Sequence, residues 1–260
     1  MAALIDYKLV EDHIAVLTLN RPEAMNAMSK ALLDELNEYV HQINTNDEIR
    51  CTIITGSKEK SFCAGADLKE RKEMSEDQVI GAVKYIGETV TNIENMKMPV
   101  IAAINGIAFG GGLELTLGCD LRISADHSKL GLTETSLAII PGAGGTQRLT
   151  RLIGLGKAKR LIFTAKSLTA DEALELGLVE QVVESHALLD AATEMAKQIT
   201  ENGPIALRQA KTAINKGIQT DMTTGLAIEH LCYKETIPTE DRIEGLQAFK
   251  EKRKPVYQGK

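Results

Sequence analysis

Charge vanishes from this chain over two long stretches. Over residues 98–119 the only charged side chain is Glu114, and over residues 130–147 the only one is Glu134. Segments so poor in charge belong inside a protein. The longest uncharged run, 98–113, is broken by Asn105 and three consecutive glycines. It falls short of the roughly 18 apolar residues that a membrane span requires. These stretches must therefore fold as short strands, glycine turns and helix starts within a globular core. Each one carries a single carboxylate into that interior.

The remaining sequence supplies elements to surround them. Residues 14–19 (IAVLTL), 51–55 (CTIIT) and 99–104 read as strands, as do 121–125 and the short apolar runs around Leu130 and Ile139. Leu32, Leu33, Leu36, Val40 and Ile43 recur at helical spacing behind Ser29, a natural N-cap. Ser75 and Gln78 form a capping box ahead of a stripe made by Val79, Val83, Ile86, Val90 and Ile93. Thr169 and Glu172 repeat that box with Gly177 placed to end the helix, and Pro204 opens another that runs toward Gly217. No strand pattern appears in the final 55 or so residues. The expected organisation is an α/β core over residues 1–200 and a helical C-terminal region over 201–260.

Composition narrows the function classes. Lys and Arg total 30 against 36 Asp and Glu, a net charge of −6, and there are only 5 Tyr, 4 Phe and no Trp. An acidic chain poor in aromatic rings is badly equipped to hold a nucleic-acid backbone or stack on bases, so no nucleic-acid partner is expected. No membrane partner is expected either. Asp6, Glu11 and Asp12 stand where a targeting segment would need a basic and then apolar run, so the expected location is cytoplasmic. Cys51, Cys63, Cys119 and Cys232 form no C-x-x-C pair; they read as small buried hydrophobes, with neither a metal site nor a disulfide framework.

Nucleotide and hydrolase motifs fail. Gly142 and Gly144 are followed by Gln147 where a G-x-G-x-x-G would need glycine, Gly156-Lys157 is no P-loop, and no G-x-S-x-G occurs. The chemistry therefore points back to the two carboxylates. Burial raises a carboxyl pKa, and two in one pocket are driven apart into an acid and a base. Gly110-Gly111-Gly112 precedes a helix start, whose unpaired N–H groups can stabilise an oxyanion. The turn Phe62-Cys63-Ala64-Gly65-Ala66-Asp67 can supply a second donor. Against this stand plainer roles, a partnered surface glutamate and simple tight-turn glycines.

Asn20-Arg21-Pro22, Cys63-Ala64-Gly65-Ala66-Asp67-Leu68-Lys69, Asn105-Gly106, Gly110-Gly111-Gly112-Leu113-Glu114, and Glu134 followed by Ile140-Pro141-Gly142-Ala143-Gly144-Gly145 resemble the enoyl-CoA hydratase (crotonase) family. The likeness continues through Ala173 to Gly177-Leu178-Val179 and into the tail from Glu240 to Arg253. It implies an α/β fold, a crotonase (ClpP-like) spiral of ββα units with a C-terminal helical trimerisation region, assembling as a homo-oligomer, either a trimer or a hexamer. It implies that Ala66 and Gly111 donate the oxyanion-hole N–H groups and that Glu114 and Glu134 are the catalytic carboxylates; we read Glu114 as base and Glu134 as acid, and the sequence leaves the reverse division open. It places Ala64, Ala66, Asp67, Leu68, Lys69 and Gly111, with Phe249 and Lys252 at the nucleotide end, along an acyl-CoA. No metal and no separate cofactor is implied, because CoA is part of the substrate.

The carboxylate pair favours hydration of a 2-enoyl-CoA, or the reverse dehydration, over isomerisation. Residues 63–71 (CAGADLKER) with Leu137-Ala138-Ile139-Ile140 look most like the methylglutaconyl-CoA hydratase branch. The RNA binding of its mammalian member is not expected here, because residues 25–47 carry Lys30 against Asp34, Glu35, Glu38 and Asp47. The remaining alternative is a catalytically silent acyl-CoA-binding protein.

Overall fold

The computed structural model describes residues 3–260. In chain order the strands and helices are β1 (Ile5–Val10), β2 (Ile14–Leu19), α1 (Lys30–Thr45), β3 (Cys51–Gly56), β4 (Ser61–Cys63), α2 (Leu68–Arg71), α3 (Glu76–Glu94), β5 (Val100–Ile104) and β6 (Ile107–Phe109). There follow α4 (Gly111–Leu117), β7 (Leu121–Ala125), β8 (Lys129–Gly131), α5 (Gly145–Ile153), α6 (Leu155–Thr164), β9 (Leu168–Thr169), α7 (Ala170–Leu176) and β10 (Gln181–Val183). Four helices close the chain: α8 (Leu188–Thr200), α9 (Pro204–Gly217), α10 (Met222–Thr236) and α11 (Glu240–Glu251).

Two sheets share these strands. One runs β1-β2-β3-β5-β7-β10 and the other β4-β6-β8-β9. Pairings from β2 to β10 in the first sheet are parallel, as are β4 with β6 and β6 with β8 in the second. Each circuit thus lays a strand in the large sheet, a short one in the small sheet, then mostly helix, and returns one strand further along. The result is a spiral of ββα turns. The inner strands β3 and β5 are buried along their whole length, which is why they read as unbroken apolar runs.

The main core lies between the sheets and under α1 and α3, with Leu17, Leu36, Ile54, Phe62, Ile93 and Ile104 among its members. A second core on the far face of the large sheet is closed by Leu188, Ala192 and Ala196 of α8. The helix starts obey their caps: Ser29 accepts from the Leu32 N–H, and the boxes at Ser75–Gln78 and Thr169–Glu172 are both formed. Gly177 ends α7 in the left-handed conformation, and Pro204 opens α9. The C-terminal helices fold back on the same chain, where Lys211 pairs with Asp120 at 2.8 Å and Arg50 donates to the Tyr257 carbonyl at 2.9 Å. All four cysteines are free and buried.

One expected strand is absent. The apolar run around Ile139 follows a single 3-10 turn, Glu134–Leu137, and Ala138 then takes a left-handed conformation. Pro141 cannot donate to a ladder, and Leu137, Ile139 and Ile140 remain exposed at the edge of a cavity. Their apolar character serves that cavity rather than a sheet.

Candidate active site

The small sheet assembles the site. Because β4, β6 and β8 are adjacent and parallel, their C-terminal ends lie side by side. The segments leaving those ends are Ala64–Asp67, Gly110–Glu114 and Leu132–Glu134, the three separate motifs singled out in the sequence. Binding at the carboxyl ends of parallel strands is the general rule for such sheets.

Close backbone approach decides the glycines. Gly110 sits at φ 51°, ψ −125°, and its N–H donates to the Gly131 carbonyl at 2.9 Å. A Cβ on Gly112 would lie 2.0 Å from the Cys63 carbonyl oxygen, so only glycine lets α4 start against β4. The same contact brings the Gly111 N–H beside that of Ala66, since a Cβ on Gly111 would stand 3.8 Å from the Ala66 nitrogen. Neither N–H donates to an acceptor among the described residues. Two free donors therefore face one cavity of about 540 Å³, whose walls also include Glu114 and Glu134.

The two carboxylates are treated differently. Glu114, buried on α4, accepts at Oε1 from the N–H groups of Ala143 and Gly145, both at 2.7 Å. Gly145 is the first residue of α5, so Glu114 stands at the positive end of that helix. Burial pushes the Glu114 carboxyl up, and these bonds, with Arg148 and Arg71 nearby, pull against it. The supporting loop is itself braced: Arg148 donates to the Ala143 carbonyl at 3.0 Å and pairs with Glu94 at 2.6 Å.

Glu134 has no such support. Its Oε2 is buried with no hydrogen-bond partner among the described residues. Burial first, and then the Glu114 charge, pushes its carboxyl up to about 7. The cavity thus holds one carboxyl whose anion two N–H groups support against its burial, and a second, without that support, whose proton is held up to about pH 7.

The remaining sequence candidates divide. Ala64, Ala66, Leu68 and Gly111 line this cavity. Asp67 does not; it lines the neighbouring pocket, also bordered by Arg71. Its carboxylate caps α2 through the Lys69 and Glu70 N–H groups and pairs with Arg21 at 2.5 Å. That pairing explains the Asn20-Arg21-Pro22 motif: it anchors the loop that carries the Ala66 donor. Lys69 is exposed on α2, and Phe249 and Lys252 lie exposed at the end of α11, outside the cavity wall.

Two features escaped the sequence reading. The loop 141–145 presents the Ala143 and Gly145 N–H groups to Glu114. Arg71 also lines the cavity, half-buried, as its only cation among the described residues. Among the described residues no three His, Cys, Asp or Glu side chains cluster as a metal site would need.

Comparison with known proteins decides the family. The model of the family described as enoyl-CoA hydratase/isomerase matches residues 10–260. The chain belongs to the enoyl-CoA hydratase/isomerase family. It is 57% identical over 259 residues to the protein YngF of Bacillus subtilis (strain 168), with both chains covered completely. It is 49% identical over 250 residues to the human mitochondrial methylglutaconyl-CoA hydratase, covering 95% of this chain and 74% of that one. The crystal structure of an enoyl-CoA hydratase from Bacillus anthracis superposes with a TM-score of 0.98 at 55% identity, covering 99% of this chain and 100% of the other. The spiral described above is thus the crotonase fold of this family.

Proposed function

We propose that this chain is an enoyl-CoA hydratase. It adds water across the 2,3-double bond of a 2-enoyl-CoA to give the 3-hydroxyacyl-CoA, and it runs the reverse dehydration. The observation that carries this reading is the unequal support of Glu114 and Glu134 within one cavity that also offers two free N–H donors. The Ala66 and Gly111 N–H groups hold the thioester oxygen, on which negative charge builds as water attacks C3. Glu114, whose anion the α5 N-terminus supports against burial, takes the proton of that water. Glu134 delivers its proton to C2, and the pair carries one proton in total before and after the reaction.

Ala64, Leu68 and exposed Lys69 suit the CoA arm, and CoA is the only cofactor the reaction needs, arriving with the substrate. Exposed Ile214, Leu226, Leu231 and Leu246 on the C-terminal helices, with Ile218 just after α9, offer apolar surface that supports a homo-oligomer, a trimer or a pair of trimers. Phe249 and Lys252 would then complete the nucleotide end in a neighbouring subunit. Among the described residues no helix is long and apolar enough to cross a membrane. The acidic composition supports a cytoplasmic enzyme of acyl-CoA breakdown.

Isomerisation is the second reading, but moving a proton between C2 and C4 needs one acid–base group rather than this pair. Purified protein given crotonyl-CoA should remove the conjugated double bond with multiple turnovers. A chain that shifts a 3-enoyl-CoA to its 2-enoyl isomer faster than it hydrates crotonyl-CoA would be an isomerase.

A further inference from the structure

A peptide leaving the end of β4 has no reason of its own to aim an N–H at the cavity. A second strip of chain aims this one. Residues 25–28 run alongside residues 64–67: the Met28 N–H donates to the Gly65 carbonyl at 2.8 Å, the Asp67 N–H to the Met28 carbonyl at 3.2 Å, and the Ala64 N–H to the Met25 carbonyl at 3.0 Å. Met28 and Ala66 are thus partners in a parallel bridge. In such a bridge one residue spends its own N–H and C=O on its partner's neighbours, and the partner turns both of its groups to the opposite side. Ala66 is that partner, so its N–H is turned away from the strip and into the cavity.

One side chain holds the strip in place. Met25 and Asn26 both take left-handed backbone at φ 55°, which asparagine tolerates better than most side chains. Asn26 is fully buried. Its Oδ1 accepts from the Arg21 N–H at 2.9 Å, and its own N–H donates to the Arg21 carbonyl at 2.9 Å, which closes the turn. Its Nδ2 donates to the Ser61 carbonyl at 2.8 Å, at the start of the strand that runs into residues 64–67. The two ends of one amide therefore tie the strip to the strand it pairs with. Both bonds go to main-chain groups, so they do not depend on the Arg21 guanidinium or its pairing with Asp67. We propose that Asn26 is a positioning residue for the oxyanion hole, fixing residues 25–28 and through them the direction of the Ala66 N–H. The inference rests on the hydratase reading, which places the thioester oxygen at Ala66 and Gly111.

Asn26→Gly tests this, because glycine keeps the left-handed backbone and removes only the side-chain amide. It should lower kcat for crotonyl-CoA by about tenfold to a hundredfold, with KM changed by no more than a few-fold. A second measurement needs no turnover. The 13C resonance of butyryl-CoA labelled at the thioester carbonyl should move downfield on binding to wild-type protein, as the two donors polarise the bond, and should move back toward its free position in Asn26→Gly. Asn26→Ser, which retains one polar group, should fall between them and carries the test if the glycine variant does not fold. A variant with the wild-type carbonyl shift would overturn the proposal, and so would equal losses of affinity for butyryl-CoA and free CoA. Wild-type protein that hydrates crotonyl-CoA and is matched by Asn26→Gly in both measurements removes this inference alone. Wild-type protein that polarises the carbonyl but hydrates nothing removes the hydratase reading, and the carbonyl shift of the variants still decides the role of Asn26.

Discussion

The Gly145 N–H donates to Glu114 Oε1 at 2.7 Å, and a Cβ on Gly145 would stand 2.9 Å from that same oxygen. The bond that supports the Glu114 anion therefore depends on the absence of a side chain at the residue making it. Gly145→Ala should push the carboxylate out of line and lower kcat for crotonyl-CoA by about a hundredfold, as misplacement of a reacting group by an ångström does. Affinity for butyryl-CoA should change little. A variant that is folded by circular dichroism and retains full turnover would show that this bond does not position Glu114.

The pH profile follows from the pair. Glu134 is raised to about 7, so its proton is lost as pH climbs through neutrality. Glu114, raised less freely because two N–H groups hold its anion, is protonated as pH falls. The active form has one proton on the pair, so kcat/KM should trace a bell whose alkaline limb lies near pH 7. Hydration neither consumes nor releases a proton, and dehydration of the 3-hydroxyacyl-CoA should give the same bell. Measuring both directions across pH checks this.

Arg21 and Asp67 hold the loop that carries the Ala66 donor. Burial opposes the Asp67 anion, but the Arg21 bond and the Glu70 and Lys69 N–H groups prevail and draw its pKa down. The stability they contribute is present above the ordinary Asp pKa and is lost as pH falls through the depressed value. Arg21→Met should cost about 1–3 kcal/mol in urea unfolding at neutral pH, and less in acid. It should also lower kcat more than it raises KM, because the donor it steadies acts on the transition state.

Much of this architecture is legible in the chain, and what is not has a physical reason. Caps at Ser29, Ser75 and Thr169 and the long apolar strands reveal themselves because they are local patterns. The β4 and β6 strands are only three residues each, too short for periodicity, and exist because parallel neighbours pair with them. Their pairing with each other and with β8 is what joins Ala66, Gly111 and Glu134. Arg71 sits in a run of charges, LKERKE, that reads as a solvated helix face; α3 and the 137–143 loop convert it into a cavity wall. Ile139 resembled a strand because cavity walls and sheet interiors draw on the same apolar residues.

The cysteines give a separate check on the core. Burial pushes the Cys51, Cys63 and Cys119 thiols up to about 12. A thiol reagent at pH 8 should modify these three only slowly in native protein and rapidly after denaturation. Fast reaction of the native protein at Cys63 would mean that the β4 end opens readily.

The central claim is that Glu114 and Glu134 share the work of adding water. Its most direct measurement is the hydration rate of crotonyl-CoA by Glu114→Gln and by Glu134→Gln, each with its affinity for butyryl-CoA. The account predicts that either change lowers kcat by about a thousandfold or more, while affinity stays within a few-fold of wild type. Near-normal hydration by either variant would contradict it.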